Sequence, residues 1–592
     1  MRYLFLLIAI FSQSLTIKAD TKHTDFIGAG HDNRVTVMAS SSSGTLSQST
    51  IDGFQIKNME QLKDASRFLA QATFGADYAT IEMTAAMGYD SWLEEQFNLP
   101  YTTIVDEMIE QSSEPEPYGM YNPWFRAAWI TSNLTSPDLL RRRLAFVWSQ
   151  IMVINDNADF FEDNSDFIAH YYDRLALLSF ANFKELLTHV TLSPAMGLFL
   201  SHYNNPKEDP AKNIHPDENY AREIMQLFSI GLWELNKDGT RKLDERGEYI
   251  STYNNGNIKE FAQVFTGLSN GLEWGEFGVP PDEFYGSDSC IFLMTTPMKM
   301  YNEYHDQSEK FLLNDVVLPA GQDGMEDVKL ALDHLVNHNN TAPFICKSLI
   351  KLLTSSNPSQ QYVNDVVSVF DPKEPENFQK VIKAILLHPE ARNPVTPDYT
   401  GGKLREPVVR LMNLLRAFPL TPNGRGDYPM DFFCFGSITG QSPMESPSVF
   451  NFFLPEYQQP GLIEDKNLIA PEFHILNSTN AVGMLNDLDF RVFEDRYMRD
   501  YCVDGVTKYE WDIVEQRTDE GSFIIDFDDE LRLADNPEAL VNRLDILLAN
   551  GLLESETKKI VENAIGTINE LRERVKMAIY LIMISPDYVI LK

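Results

Sequence analysis

From about residue 60 onward, apolar residues recur every three to four positions, the spacing of one buried helix face. Leu62, Ala65, Phe68, Leu69 and Ala72 share such a face, and Gly75 supplies a terminator. A second helix is predicted over about 77–87, ended by Gly88, and a third holds Trp92, Leu93 and Phe97 ahead of Pro100. Ser136-Pro137-Asp138 has the chemistry of a helix start: a capping hydroxyl, a proline suited to the first helical position, and a carboxylate at the positive end. The helix it opens runs through Leu140, Leu144, Val147, Trp148 and Ile151 and carries three consecutive arginines, Arg141 to Arg143. The same periodicity predicts helices at about 165–179, 182–192, 216–231, 257–266, 325–337, 342–354, 376–387, 405–418, 536–550 and 556–584. Asn257 and Glu260 form a capping pair, and Gly267 follows as a stop. Residues 268–322 and 420–470, rich in Gly, Pro, Asn and aromatics, read as long connections. The predicted fold class is mainly α: a large multi-helix domain with long irregular loops and little sheet.

The N-terminus differs from the body. Residues 1–19 have the pattern of a secretory signal: Arg2, the apolar run Leu4 to Phe11, and the small residue Ala19. Residues 20–58, with Ser40 to Ser43, read as a flexible leader, and 59–592 as the helical body. The apolar run at the N-terminus is too short to span a bilayer, and no later uncharged stretch reaches the length of a membrane-spanning helix, so no transmembrane segment is predicted. The expected localisation is exported, either periplasmic or extracellular.

Composition narrows the partners. With 49 Lys+Arg against 86 Asp+Glu, the formal net charge is −37. Phosphate backbones require a basic footprint, so nucleic acid is excluded as a partner. Cys290, Cys346, Cys434 and Cys502 lie far apart without CxxC spacing; they allow two disulfides in three pairings, and Cys346, inside an apolar helix, reads as a buried thiol.

Candidate chemistry gathers at three places. In His215-Pro216-Asp217-Glu218-Asn219-Tyr220-Ala221-Arg222-Glu223, the apolar face is Tyr220, Ile224, Leu227 and Phe228, with Glu218, Arg222 and Ser229 opposite. Glu218 and Arg222 form an i,i+4 pair worth about 0.2–0.5 kcal/mol. Glu223 falls at the border, where a half-buried carboxylate requires a partner and is a candidate acid or base. Tyr304-His305-Asp306, followed by Lys310, offers a histidine beside a carboxylate. Gly401-Gly402-Lys403-Leu404-Arg405-Glu406-Pro407 leads into a helix with two cations that either hold an anion or pair with the acidic body. Asn155, Asp156, Asn157, Asp159, Glu162, Asp163 and Asp166 carry oxygen ligands but lack the EF-hand order, so no metal is assigned. No GxSxG, HExxH or CxxC motif is present, and no cofactor is predicted.

These segments carry a resemblance. Arg67-Phe68-Leu69-Ala70-Gln71-Ala72-Thr73-Phe74-Gly75, Arg143-Leu144-Ala145-Phe146, Glu218-Asn219-Tyr220-Ala221-Arg222-Glu223, Phe265-Thr266-Gly267, His305-Asp306 with Lys310, Lys403-Leu404-Arg405-Glu406-Pro407, Gly440-Gln441-Ser442-Pro443, Pro447-Ser448-Val449-Phe450-Asn451-Phe452-Phe453 and Ser585-Pro586-Asp587-Tyr588 occur in family order. Over about residues 60–592 the chain resembles the bacterial family catalogued as domain of unknown function 1800. The resemblance implies an exported, mainly helical protein of unestablished activity, with a secreted sulfatase-like protein as a partner. Many relatives carry three histidines where this chain has Ser149, Ile151 and Phe228, so the resemblance implies no metal ligands here.

Two functions follow from the residues taken with the resemblance, which alone supplies the sulfatase-like partner. The first is an exported accessory or binding protein acting with a secreted sulfatase-like partner or a surface polymer. The second is a hydrolase or lyase on an extracellular polymer, with Glu223 and His305 as acid and base and Arg222, Lys403 and Arg405 holding an anionic substrate. Convergence of these side chains on one open pocket would favour the second.

Overall fold

The computed structural model describes residues 50–51, 54–55, 59–112, 122–156, 160–161, 164–271, 284–285, 296–393, 401–423, 435–493, 501–503, 506–508 and 522–592. Residues 1–19 lie outside the described residues. So does most of 20–58, apart from a strand pair in which Thr50–Ile51 faces Phe54–Gln55.

The helix Leu139–Ile151 is buried at every one of its 13 positions. Four other helices pack on it: Met59–Ala72, Tyr89–Asn98, Ser165–Leu177 and Thr341–Leu353. Burying three arginines in one helix is costly unless each finds donors' partners and ring faces. Arg141 lies 4.4 Å from the centroid of the Phe180 ring. Arg142 pairs with Asp138 at 3.3 Å, donates to the Thr102 carbonyl at 2.7 Å and covers the Tyr101 ring. Arg143 donates to the Leu352 carbonyl at 3.0 Å. These contacts tie the central helix to its neighbours. They also move the helix start: Asp138 is the N-cap residue, makes no capping bond, and spends its carboxylate on Arg142 and Arg141, so the first helical residue is Leu139 and not Pro137.

The remaining helices follow the apolar periodicity with local differences. The helix predicted near 257 starts at Asn255, because Asn254 accepts from the Asn257 amide while the Asn257 side chain returns the bond. Glu260 instead accepts from the Phe311 amide at 2.7 Å. The segment predicted as one helix over 556–584 is two, Ser555–Gly566 and Leu571–Met583, broken after Gly566. Ile104–Ser112, Asn122–Thr135, Gln360–Val367 and Ser478–Phe493 are further helices that the periodicity did not mark.

All sheet among the described residues is two-stranded and antiparallel. One pair matters for the site. Lys403–Leu404 faces Ile590–Leu591, with Leu404 opposite Ile590. Gly402, at φ +97°, makes this approach possible, since a Cβ there would lie 2.7 Å from the Leu591 carbonyl oxygen. Residues 232–252 form an arm of bridged turns in which Trp233 faces Ser251, Leu235 faces Arg241 and Leu243 faces Tyr249. Among the described residues no helix is long and apolar enough to cross a membrane. Cys346 is buried in Thr341–Leu353 and makes no disulfide. Cys290 and Cys434 lie outside the described residues.

Candidate functional site

A cavity of about 430 Å³ opens where four parts of the fold meet: the C-terminal end of Leu139–Ile151, the turn after Asn219–Gln226, one face of Thr341–Leu353 and residues 449–457. Phe344, Trp233, Phe450, Phe453 and Tyr457 give it aromatic walls. At the mouth Phe450 and Leu454 are exposed. Gly231, at φ +73°, closes the turn after the polar helix by donating to the Met225 carbonyl at 2.9 Å. A Cβ there would sit 2.7 Å from the Phe344 ring, so this position keeps the cavity's inner wall closed.

The charged lining comes from four segments. Lys347 and Lys351 stand one helical turn apart on Thr341–Leu353; Lys347 donates to the Gly239 carbonyl at 2.9 Å and Lys351 to the Pro455 carbonyl. Burial, then the charge of Lys347, lowers the Lys351 ammonium to about 8. Arg241 pairs with Glu456 and lies 4.7 Å from the Tyr249 ring centroid. Glu472 is buried and paired with Lys403 at 3.0 Å.

The residues singled out in the sequence fall in four other places. Lys403 lies behind the cavity floor, donating to the Leu352 carbonyl at 2.8 Å and pairing with Glu406 at 3.3 Å as well as with Glu472. Burial alone would raise the Glu406 carboxyl, but the charges of Lys403 and Arg143 and hydrogen bonds from Gln441 and Gln150 hold it below its ordinary 4.5. Arg405 is buried against the Tyr588 ring at 4.4 Å and donates to Asn413 at 3.1 Å and to Asn550.

His305 is fully buried and its partner is not the adjacent Asp306. One ring nitrogen contacts the Thr266 carbonyl at 2.8 Å and the other contacts Asp327 at 3.1 Å. Asp327 also receives Lys310 at 2.8 Å and Gln322 at 2.6 Å. Asp306 turns to Ser308, accepting from its amide at 2.8 Å.

The polar helix is shorter than predicted, Asn219–Gln226, because Asp217 accepts from the Asn219 amide and Asn205 accepts from the Asp217 amide, so the chain turns before Pro216 can open a helix. Ser229 is consequently not on an outer face but buried, donating to the Ile224 carbonyl at 2.5 Å. Arg222 stays outside, 3.5 Å from Glu218. Glu223 is 5% exposed, and its Oε2 has no hydrogen-bond partner among the described residues. Burial pushes its carboxyl up to about 7 against the opposing charge of Arg222. Because the folded state then holds the proton more tightly than the unfolded chain, Glu223 costs stability as pH rises from about 4.5 to about 7. Glu223→Gln is expected to flatten that fall, read as the urea midpoint at pH 4.5 and pH 7.5; an unchanged slope would remove the effect from Glu223.

Of Glu223, His305, Arg222, Lys403 and Arg405, none lines the cavity. Lys403 reaches it through its ion pair with Glu472, and Glu223 only through its backbone carbonyl, which accepts from the Leu227 amide. Of the oxygen-rich run near 156, Asp156 lies 3.4 Å from Arg126, while Asn157, Asp159, Glu162 and Asp163 lie outside the described residues. Among the described residues no group of three or more His, Cys, Asp or Glu side chains is placed to hold a metal ion. The cavity itself was missed in the sequence. Its one signal was the pair of lysines a turn apart in the stretch Phe344 to Leu353, which is apolar apart from them and Ser348.

A family profile described as Protein of unknown function (DUF1800) matches residues 67–590. No curated protein and no solved structure gives a match. The matched span covers nearly all of the helical body, including the buried arginine helix, the cavity and the Lys403 and His305 networks, and the chain belongs to the DUF1800 family.

Proposed function

We propose that the chain is an exported binding protein whose aromatic-walled cavity takes a ligand with a flat apolar surface, such as a segment of an extracellular polymer. The observation that carries this reading is the cavity's lining: aromatic rings and lysines, without any of the acid/base candidates. Stacking on Phe344, Phe450 and Trp233 supplies area for binding without a reaction. His305 is locked between Thr266 and Asp327, and Arg405 between Tyr588 and Asn550, positions that support packing. Action alongside a secreted sulfatase-like protein is the part of the reading that rests on the family resemblance. Export rests on the signal pattern of residues 1–19.

The alternative, a hydrolase or lyase using Glu223, draws on its raised carboxyl. One experiment separates the two. The protein is incubated with a purified cell-envelope polysaccharide, and both co-sedimentation and polymer chain length are measured. Binding without shortening, weakened by Phe453→Ala and unaffected by Glu223→Gln, is the expected result. Polymer shortened by the wild type and not by Glu223→Gln would establish the enzyme and overturn the binding reading.

A further inference from the structure

We propose that the cavity selects ligands bearing an anionic group, held at the ammonium groups of Lys347 and Lys351, on a flat apolar body packed against Phe344 and Phe450. This rests on the binding reading above and names its ligand class.

The argument is one of unspent cations. In a chain with 86 acidic and 49 basic residues, carboxylates outnumber cations almost twofold, so a lysine's ordinary partner is close at hand. Yet Lys347 and Lys351 make no ion pair among the described residues; each donates to a backbone carbonyl, from Gly239 and from Pro455. An ammonium has three donors, so both retain hydrogen-bonding capacity toward the cavity they line. The carboxylates nearby are already engaged. Glu456 is held by Arg241, Glu472 by Lys403, and Asp238 accepts from the Thr240 hydroxyl and amide. Glu456 and Asp238 favour the charged Lys347, and Glu456 and Glu472 the charged Lys351, only from beyond ion-pair distance, so neither lysine has a carboxylate partner of its own among the described residues.

That arrangement has a cost. Burial disfavours the charged form of each lysine and lowers both amines from their ordinary 10.5; the charge of Arg241 adds to this at Lys347, and that of Lys347, one turn away on the same face, adds to it at Lys351. A bound anion offsets the repulsion and the desolvation together. A neutral ligand of the same shape offsets neither, and a cation adds to both. The aromatic walls address the rest of the ligand: a small inorganic anion leaves them in water, whereas a flat apolar body covers them.

The test uses two fluorescent probes of nearly the same ring system, anionic 8-anilinonaphthalene-1-sulfonate and neutral N-phenyl-1-naphthylamine, titrated into the full chain. The sulfonate is expected to bind saturably at one site, at least about tenfold more tightly than the neutral probe. Lys347→Gln and Lys351→Gln are each expected to weaken the sulfonate at least about tenfold and leave the neutral probe unchanged, in the direction that loss of one partner in a desolvated charge pair implies. Lys351→Arg, which keeps the charge, is expected to retain sulfonate binding. Should Lys351→Gln lower the melting temperature, the less buried Lys347→Gln decides. Equal affinities for the two probes, or sulfonate affinity unmoved by Lys347→Gln, would overturn the anion selection while leaving the binding reading in place. Binding of neither probe would remove both.

Discussion

Lys403→Met is expected to destabilise the fold by about 3–5 kcal/mol, the usual cost of leaving a buried charge without its partner. Lys403 is the cation shared by Glu406 and Glu472, and both carboxylates are buried. Glu406 keeps Arg143, Gln150 and Gln441, but Glu472 loses its ion pair and retains a long contact of 3.4 Å from Ser356. Burial already raises the Glu472 carboxyl above its ordinary 4.5, so the variant is rescued by the proton. A group whose folded form holds its proton more tightly gains stability as pH falls, and the deficit of Lys403→Met is expected to shrink toward pH 4.5. The double variant Lys403→Met, Glu472→Gln is expected to recover most of the loss at neutral pH. Urea midpoints at both pH values check this. A deficit that ignores pH and is not relieved by Glu472→Gln would mean that Lys403 acts through packing alone.

Asp327→Ala is expected to cost a similar amount, about 3–5 kcal/mol, because it leaves the buried Lys310 ammonium and a His305 ring nitrogen without their common acceptor. Burial alone would raise the Asp327 carboxyl, yet hydrogen bonds from His305 and Lys310, the charge of Lys310 and the bond from Gln322 hold it below its ordinary 3.8. The sign is therefore opposite to that of Glu472. Stability from Asp327 is fully present above about 3.8 and is lost as pH falls through the lower folded value. The wild type should lose stability in that acid range and Asp327→Ala should lack this component. Melting curves between pH 2.5 and 5 read it, and parallel acid profiles for the two proteins would contradict the assignment.

How far the sequence carries depends on which neighbour a residue finds. Periodicity reports contacts within one helix: it marks Cys346 as buried and the arginine-bearing helix as a helix, but not that all 13 positions of that helix are covered by its neighbours. Arg405 and Tyr588 stood in two quoted motifs far apart, but nothing in their spacing shows that one lies on the other's ring. His305 sits beside Asp306 in the chain, whereas its carboxylate comes from Asp327, 22 residues later, on a helix whose rotation sets the meeting. Ser229 was assigned to the outside by extending the helical period past Gln226, where the backbone has already turned. The cavity was invisible for the same reason. Its lining comes from residues 150–151, 226–241, 344–352, 449–457 and 471–472, and no periodicity within one element shows that these segments meet.

Ser66 bonds to the Ile546 carbonyl and receives Asn550, and the strand at Lys403 closes on Ile590 and Leu591. A chain synthesised from its N-terminus cannot complete either contact until residues 546–550 and 590–591 have been made. Early segments must therefore wait, with their interior faces uncovered, for partners made more than 400 residues later. Closure of the first helix and of the Lys403 strand thus depends on residues 546–591, whatever order the intervening helices form in.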